Sequence, residues 1–233
     1  MRLSSSEPFM SQQSAPLDVN TARRYGGASA AERAAQRRER LLEAAFDVFG
    51  RHGWRHGTMR LICAQARLND RYFYEHFATL DEIFLAVHKQ LSADVAARIM
   101  LQVAQQPDDP ILQTRAGLKA FFEYIKEDAR RAQILLVDAV TTGLTNPHNL
   151  NARVSQYAGL LRERFKARYP KLTIALDVEL VVGGFVGMVV HTATVWFQRQ
   201  FDTPVDILVD HNIYAWSGLH QWLSSQGEGP SPG

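Results

Sequence analysis

From Ser29 onward the apolar residues of this chain recur at spacings of three and four, and nowhere do they alternate in twos. That period matches the turn of an α-helix and leaves no stretch suited to a half-buried strand. Leu42, Ala45, Phe46 and Phe49 form the first such stripe, and Met59, Ile62, Cys63 and Ala66 the second. Helix starts are also written in the sequence. Ser29-Ala30-Ala31-Glu32 and Thr79-Leu80-Asp81-Glu82 each place a hydroxyl three residues before a carboxylate, the spacing of a capping box. The reading is an all-α chain of about nine helices, without sheet or internal repeat. A hydrophobic share of 46% over 233 residues supplies enough apolar material for a sizeable core, in one large domain or two small ones.

Turn residues set the boundaries. Gly53 closes a first helix near His52, Thr58 caps a second over Met59 to Ala66, and Asn69 caps a third from Asp70 to about Phe77. The fourth opens at Leu80 and runs towards Val103. Asp109 before Pro110 is a cap with proline at the first helical position, and Leu118, Phe121, Phe122 and Ile125 stripe the fifth helix. Further apolar segments are Ala132 to Val140, Val154 to Phe165, Ile174 to Phe201 and Val205 to Leu223. The expected organisation is a disordered basic arm over 1–29, a three-helix unit over 30–79, a helical domain over 80–224 and a flexible tail over 225–233.

Several classes are set aside. The longest uninterrupted apolar run, Leu180 to Val190, falls short of the roughly 18 residues that cross a bilayer, so no membrane partner is expected. No apolar leader follows Met1, and the single Cys63 excludes an internal disulfide or a thiolate cluster; the expected compartment is the cytoplasm. There is no Gly-rich phosphate loop, no Gly-x-Ser-x-Gly elbow and no HExxH pair, and the eight histidines do not cluster at metal spacing. No catalytic residue, cofactor or metal is assigned.

Charge points elsewhere. The net charge is +2, yet residues 1–79 hold 12 arginines and no lysine against 8 acidic residues. Six of those arginines lie between Arg23 and Arg40. Arginine forks onto phosphate, which makes nucleic acid a candidate partner; a solvated helix face gives the same composition.

Two short helices joined by a three-residue turn, the second small and polar on one side, are the geometry that lays a helix into a major groove. Here the residues carry a resemblance. Leu41-Leu42-Glu43-Ala44-Ala45 with Phe49 and Gly53, then Gly57-Thr58-Met59-Arg60 with Ile62 and Ala66, then Tyr74, His76 and Phe77 followed by Asp81 or Glu82 and Ile83, run from Arg38 to Val87. This segment resembles the DNA-binding region of the TetR family of bacterial helix-turn-helix transcription regulators. Thr58 at a helix N-terminus and Arg60 on its first turn suit a phosphate. Asn69 and Asp70 sit at the mouth of the third helix, Arg71 and Tyr72 at the end that enters the groove, and Tyr74 and His76 resemble the family's phosphate-contacting pair. Phe73 and Phe77 fall on the core period. Three positions depart from the pattern: Arg67 replaces a turn glycine, Leu80 a phosphate-reaching lysine, and Leu61 a polar residue on the outer face of the second helix. The arginines of the arm either compensate or stay solvated.

The resemblance implies a homodimeric, ligand-responsive repressor that binds a palindromic double-stranded DNA operator and is released by a small-molecule effector. It implies a ligand cavity among the fifth to eighth helices and a dimer built from the last two. The residues agree in part. Val181 to Trp196 is apolar nearly all round, with Gly183, Gly184 and Gly187 inside it, as suits a helix approached closely by another backbone. Leu208, Ile213, Trp216, Leu219 and Leu223 would form the other half of the dimer interface. Phe121, Phe122, Ile125, Tyr157, Phe185, Met188 and Trp196, with His191 and Thr192 as polar exceptions, are the candidate effector contacts, and their chemistry points to a hydrophobic ligand. An effector-independent DNA-binding regulator and a helical small-molecule enzyme are the alternatives.

Overall fold

The computed structural model describes residues 29–138, 163, 165–167, 169 and 177–227. Every regular element among them is a helix, as expected. The arm, Tyr157 and nearly all of the expected 154–165 segment lie outside the described residues.

Helix α1, Ala30–His52, starts on its capping box: Ser29 Oγ accepts from Glu32 N at 3.1 Å, and Glu32 Oε2 accepts from Ser29 N at 2.6 Å. Gly53, at φ +75°, turns the chain out of the helix. A short 3-10 turn, Trp54–His56, leads to α2, Met59–Ala66, whose cap Thr58 accepts from Leu61 N. Helix α3 covers Asp70–Tyr74, capped by Asn69. Helix α4, Leu80–Ala104, is long enough to belong to both halves of the molecule. Leu41, Phe49, Ile62, Cys63, Phe73, Phe77, Ile83 and Phe84 close the first core, with the Phe49 and Phe84 rings edge to face at 5.5 Å. Each such buried side chain contributes about 1.5–3 kcal/mol. Burial also pushes the Cys63 thiol up, which keeps it protonated and suits plain packing.

Helix α5, Pro110–Glu127, is followed by α6, Ala129–Ala132, whose chain continues in a wider π winding over Gln133–Asp138. Helices α7, Val178–Gln198, and α8, Val205–Gly227, complete the described chain. A second core joins Val95 of α4, Phe122 and Ile125 of α5, Ala193 and Trp196 of α7, and Leu208 and Val209 of α8.

The two cores meet at a joint. Arg130 reaches Asp47 of α1 at 2.8 Å, grips Asp128 at 2.7 Å and lies over the Phe46 ring at 4.5 Å. Gly50 makes room for it, since a Cβ there would stand 2.3 Å from Arg130 Cβ. Beside them Asp138, itself buried, accepts from Trp54 N and Gln133 Nε2, both at 3.0 Å.

Several expectations are corrected. Helix α3 ends at Tyr74, not near Phe77, because His76 N and Phe77 N both turn back onto Phe73 O and tighten the last turn. At the second capping box Thr79 accepts from Glu82 N as expected, but the Glu82 carboxylate accepts from Ala78 N instead of closing on Thr79. Helix α8 continues to Gly227, past the expected boundary at 224. The Leu180–Gln198 stretch is long and apolar enough to cross a membrane by length and composition, more than the uninterrupted run suggested, because His191, Thr192 and Thr194 interrupt it without adding charge. In its C-terminal half Ala193 and Trp196 are nevertheless buried in the second core. On α8, Leu208, Ile213 and Leu223 face inward and are buried. The outward stripe is Ile207, His211, Tyr214, Gly218 and Trp222 instead, offset by one residue, about 100° around the helix.

The joint has a testable pH signature. The hydrogen bond from Arg51 holds the Asp47 carboxyl below its ordinary value of 3.8, and that from Arg130 does the same for Asp128. A depressed native pKa contributes stability above the unfolded value and loses it as pH falls through the native one. Desolvation raises Asp138 and acts in the opposite sense, so its protonation favours the fold. In Arg130→Met the stability deficit relative to the unsubstituted protein is expected to be full at pH 7 and to shrink below about pH 3.8, read by urea unfolding across the pH range.

Candidate nucleic-acid interface and effector domain

The α2–turn–α3 unit is held from behind by α1. Arg40 donates to Ala66 O at 2.5 Å and to Arg67 O at 3.3 Å, satisfying carbonyls that the end of α2 leaves open. Arg67 sits at φ 52°, ψ 45°, so the residue that stands where a glycine is usual does adopt the left-handed conformation, at a cost of roughly 1 kcal/mol. The Arg40 contact over-determines that turn. Arg37 lies over the Tyr72 ring at 4.7 Å and pairs with Glu75 at 3.5 Å, and Arg38 covers Phe77 at 5.3 Å. Of three arginines of the N-terminal run, Arg37 thus braces α3, Arg40 the turn before it and Arg38 the turn after it. Sequence charge alone did not separate them from cations free to meet a phosphate, because the distinction depends on what α3 brings within reach.

The outer face carries the expected residues. Thr58, Arg60, Asn69, Asp70, Arg71 and Tyr74 are all exposed, with the Arg71 side chain 84% accessible and Tyr74 63%. Arg71 leans on Glu75 at 3.4 Å, a surface pair weak enough to exchange for a phosphate or a base edge. Tyr72 is half-buried under Arg37, which fixes its ring at the edge of this face. His76 is half-buried with Nε2 closed off and without a partner, so the ring's remaining hydrogen-bonding capacity lies at Nδ1. Phe73 and Phe77 are core, as their spacing implied. Leu61 is exposed on the outer face of α2, and Leu80 packs on the core and offers no cation. The surface can receive a polyanion along the mouth of α3 and the N-terminus of α2.

Residues 41–87 match the model of bacterial regulatory proteins of the TetR family. Over 198 residues the chain is 25% identical to the HTH-type transcriptional activator FasR of Mycolicibacterium smegmatis, covering 79% of this chain and 83% of that protein. It is 27% identical over 146 residues to the HTH-type transcriptional repressor NicS of Pseudomonas putida, covering 60% and 67%. Its fold is similar to that of the transcriptional regulator FadR from Bacillus subtilis in complex with stearoyl-CoA, with a TM-score of 0.65, 16% identity, and coverage of 76% of this chain and 95% of that one. Residues 41–87 are thus a DNA-binding region of the TetR type. The chain is a DNA-binding transcription regulator and not an enzyme.

Beyond that region the expected effector contacts divide into two groups. Phe122, Ile125 and Trp196 are buried together, with Phe122 edge-on to Trp196 at 5.8 Å and Trp196 Nε1 donating to Thr203 O at 2.9 Å; Phe121 packs on the same cluster. Phe185 and Met188 are half-buried farther along α7, where Phe185 meets Trp216 of α8 edge-on at 5.4 Å. Thr192 spends its hydroxyl on Met188 O. His191 is exposed, a correction to its expected inward place: it shares the outward stripe of α7 with Leu180, Gly184 and Gly187. Added Cβ atoms at Gly183, Gly184 and Gly187 would meet nothing within 4 Å, so among the described residues no backbone approaches them.

Tyr74→Phe is expected to weaken binding to all DNA sequences alike, by about 0.5–1.5 kcal/mol for one lost hydrogen bond. Arg71→Ala should cost about 1–3 kcal/mol and relax preference at a single base pair. Binding-site selection with each variant distinguishes the two, and a consensus altered by Tyr74→Phe would reverse the roles.

Proposed function

We propose that this chain is a homodimeric repressor that reads a palindromic operator through residues 30–79 and is released when a hydrophobic small molecule enters the domain formed by residues 80–224. The observation that carries the DNA half is the braced, exposed face of α3, where Arg71, Tyr72, Tyr74 and His76 stand above a closed core, with Thr58, Arg60, Asn69 and Asp70 at the two helix mouths. Thr58 and Arg60 take phosphate, Arg71 and Tyr72 read bases, and Tyr74 with His76 Nδ1 fixes the backbone.

One recognition helix buries too little surface for nanomolar specificity, and a second copy corrects that. The outward faces of α7 and α8 support the pairing. Leu180 is 74% exposed, the three glycines of α7 leave a flat strip, and Ile207, Tyr214 and Trp222 of α8 project beside it. A partner's aromatic side chains fit the space a glycine strip leaves.

The effector reading is supported by the apolar and aromatic side chains that α5 and α7 bring together, and by stearoyl-CoA in the similar FadR fold. A ligand with a long apolar portion is the matching class, with Phe121, Phe122, Ile125, Tyr157, Phe185, Met188 and Trp196 as the contacts. Helix α4 packs against α1 and along α5, and the π winding after α6 reaches both α1 and α4. A shift in either moves the operator-binding helices, and dimeric recognition requires those helices about 34–36 Å apart. An effector that favours another spacing lowers operator affinity by the same factor by which operator lowers effector affinity.

Two measurements test this. Sedimentation is expected to show a dimer at micromolar concentration and a monomer for Tyr214→Asp, whose charge would be buried at the interface. Footprinting on the gene's own upstream region should show a symmetric site, lost on titration with stearoyl-CoA; a ligand that binds the C-terminal domain and leaves operator affinity unchanged contradicts the release mechanism.

A further inference from the structure

On the inward face of α8 two buried polar atoms stand one turn apart without partners. Asn212 is 2% exposed; its Nδ2 donates to Leu208 O at 2.8 Å, and its Oδ1 has no partner. The orientation of that amide is fixed by chemistry, because a carbonyl only accepts and must face the nitrogen. Four residues on, Trp216 Nε1 is also buried without a partner. Residues four apart share a helix face, so the acceptor and the donor belong to one side of α8. Buried polar atoms in folded proteins are nearly always satisfied, and two complementary orphans side by side mark a place for a third group.

The surroundings describe that place. Phe185 of α7 closes one side, edge-on to Trp216. Helix α5 is clamped alongside α8 by Arg115–Asp210 at 2.7 Å and Lys119–Asp206 at 3.0 Å. The other orphaned buried atoms among the described residues, on Arg37, Trp54 and His76, lie in the DNA-binding half.

We propose that Asn212 and Trp216 form the polar anchor of the effector site, taking a neutral group that both donates and accepts a hydrogen bond, an amide or a hydroxyl, on an otherwise apolar molecule. This rests on the effector reading above. A carboxylate would be held by Trp216 but would face a second acceptor at Asn212 Oδ1, and an ammonium would meet the reverse conflict; a group with one donor and one acceptor satisfies both.

The test uses the full chain and three probes of similar length: octanamide and 1-octanol, which donate and accept, and heptyl methyl ether, which only accepts. Tryptophan fluorescence titration should show the amide and the alcohol binding at least about ten-fold more tightly than the ether. Asn212→Leu, which keeps the branching and the number of heavy atoms, should abolish that preference by weakening the two donors while leaving the ether unchanged. Trp216→Phe, followed by thermal shift, should weaken all three probes. Equal binding of the three probes to the unsubstituted chain overturns the anchor and leaves the effector reading standing, whereas no binding by any of them defeats both. An Asn212→Leu variant that gains stability with every affinity unchanged identifies a buried water and also overturns the anchor.

Discussion

The contact on which the rest of the molecule depends is the joint between α6 and α1. Arg130 is clasped by Asp128 from its own turn and by Asp47 from α1, over the Phe46 ring and against the bare backbone at Gly50. One residue type at each position makes this possible: a side chain at Gly50 would push α6 away, and a lysine at 130 would lack the fork for two carboxylates. Next to it Asp138 takes the Trp54 amide, fixing the short turn from which Thr58 and α2 follow. The placement of the DNA-binding helices is therefore set in part by residues some eighty positions downstream.

That arrangement gives a physical route between domains. The recognition helix is short and braced, with Arg37 on Tyr72 and Arg40 on the turn carbonyls, so it moves as a unit with α1. What moves α1 is whatever moves α4 and α6. The π winding after α6 is a rare element of the kind often found at functional sites, and it touches both α1 and α4.

Much of this was legible in the sequence for local reasons. Ser29, Thr58, Asn69 and Asp109 cap the helices they were expected to cap, because capping is decided within four residues. The core of the DNA-binding half followed from periodicity for the same reason. Long-range facts were not legible. Nothing local says that Arg37 lies on Tyr72, that Arg40 reaches the carbonyls of Ala66 and Arg67, that Arg130 meets Asp47, or that Asp138 holds Trp54. The phase of α8 was misread because the helix is apolar on both faces: Leu208, Ile213 and Leu223 serve the protomer's own core while Ile207, Tyr214 and Trp222 point out, and a period of 3.6 fits either stripe. The expected effector contacts were legible as apolar and aromatic only. Their division between packed core and half-buried lining, and the orphaned Asn212 and Trp216, depend on how three helices meet.

The central claim is that the joint governs the DNA-binding surface from a distance, and operator affinity in Asp138→Leu tests it most directly. Asp138 is buried behind the 3-10 turn, and Leu keeps its branched shape while leaving the Trp54 amide unpaired. With helix content intact by circular dichroism, operator affinity is predicted to change at least about ten-fold, the equivalent of 1.4 kcal/mol. An unchanged affinity in a folded Asp138→Leu variant would contradict the account.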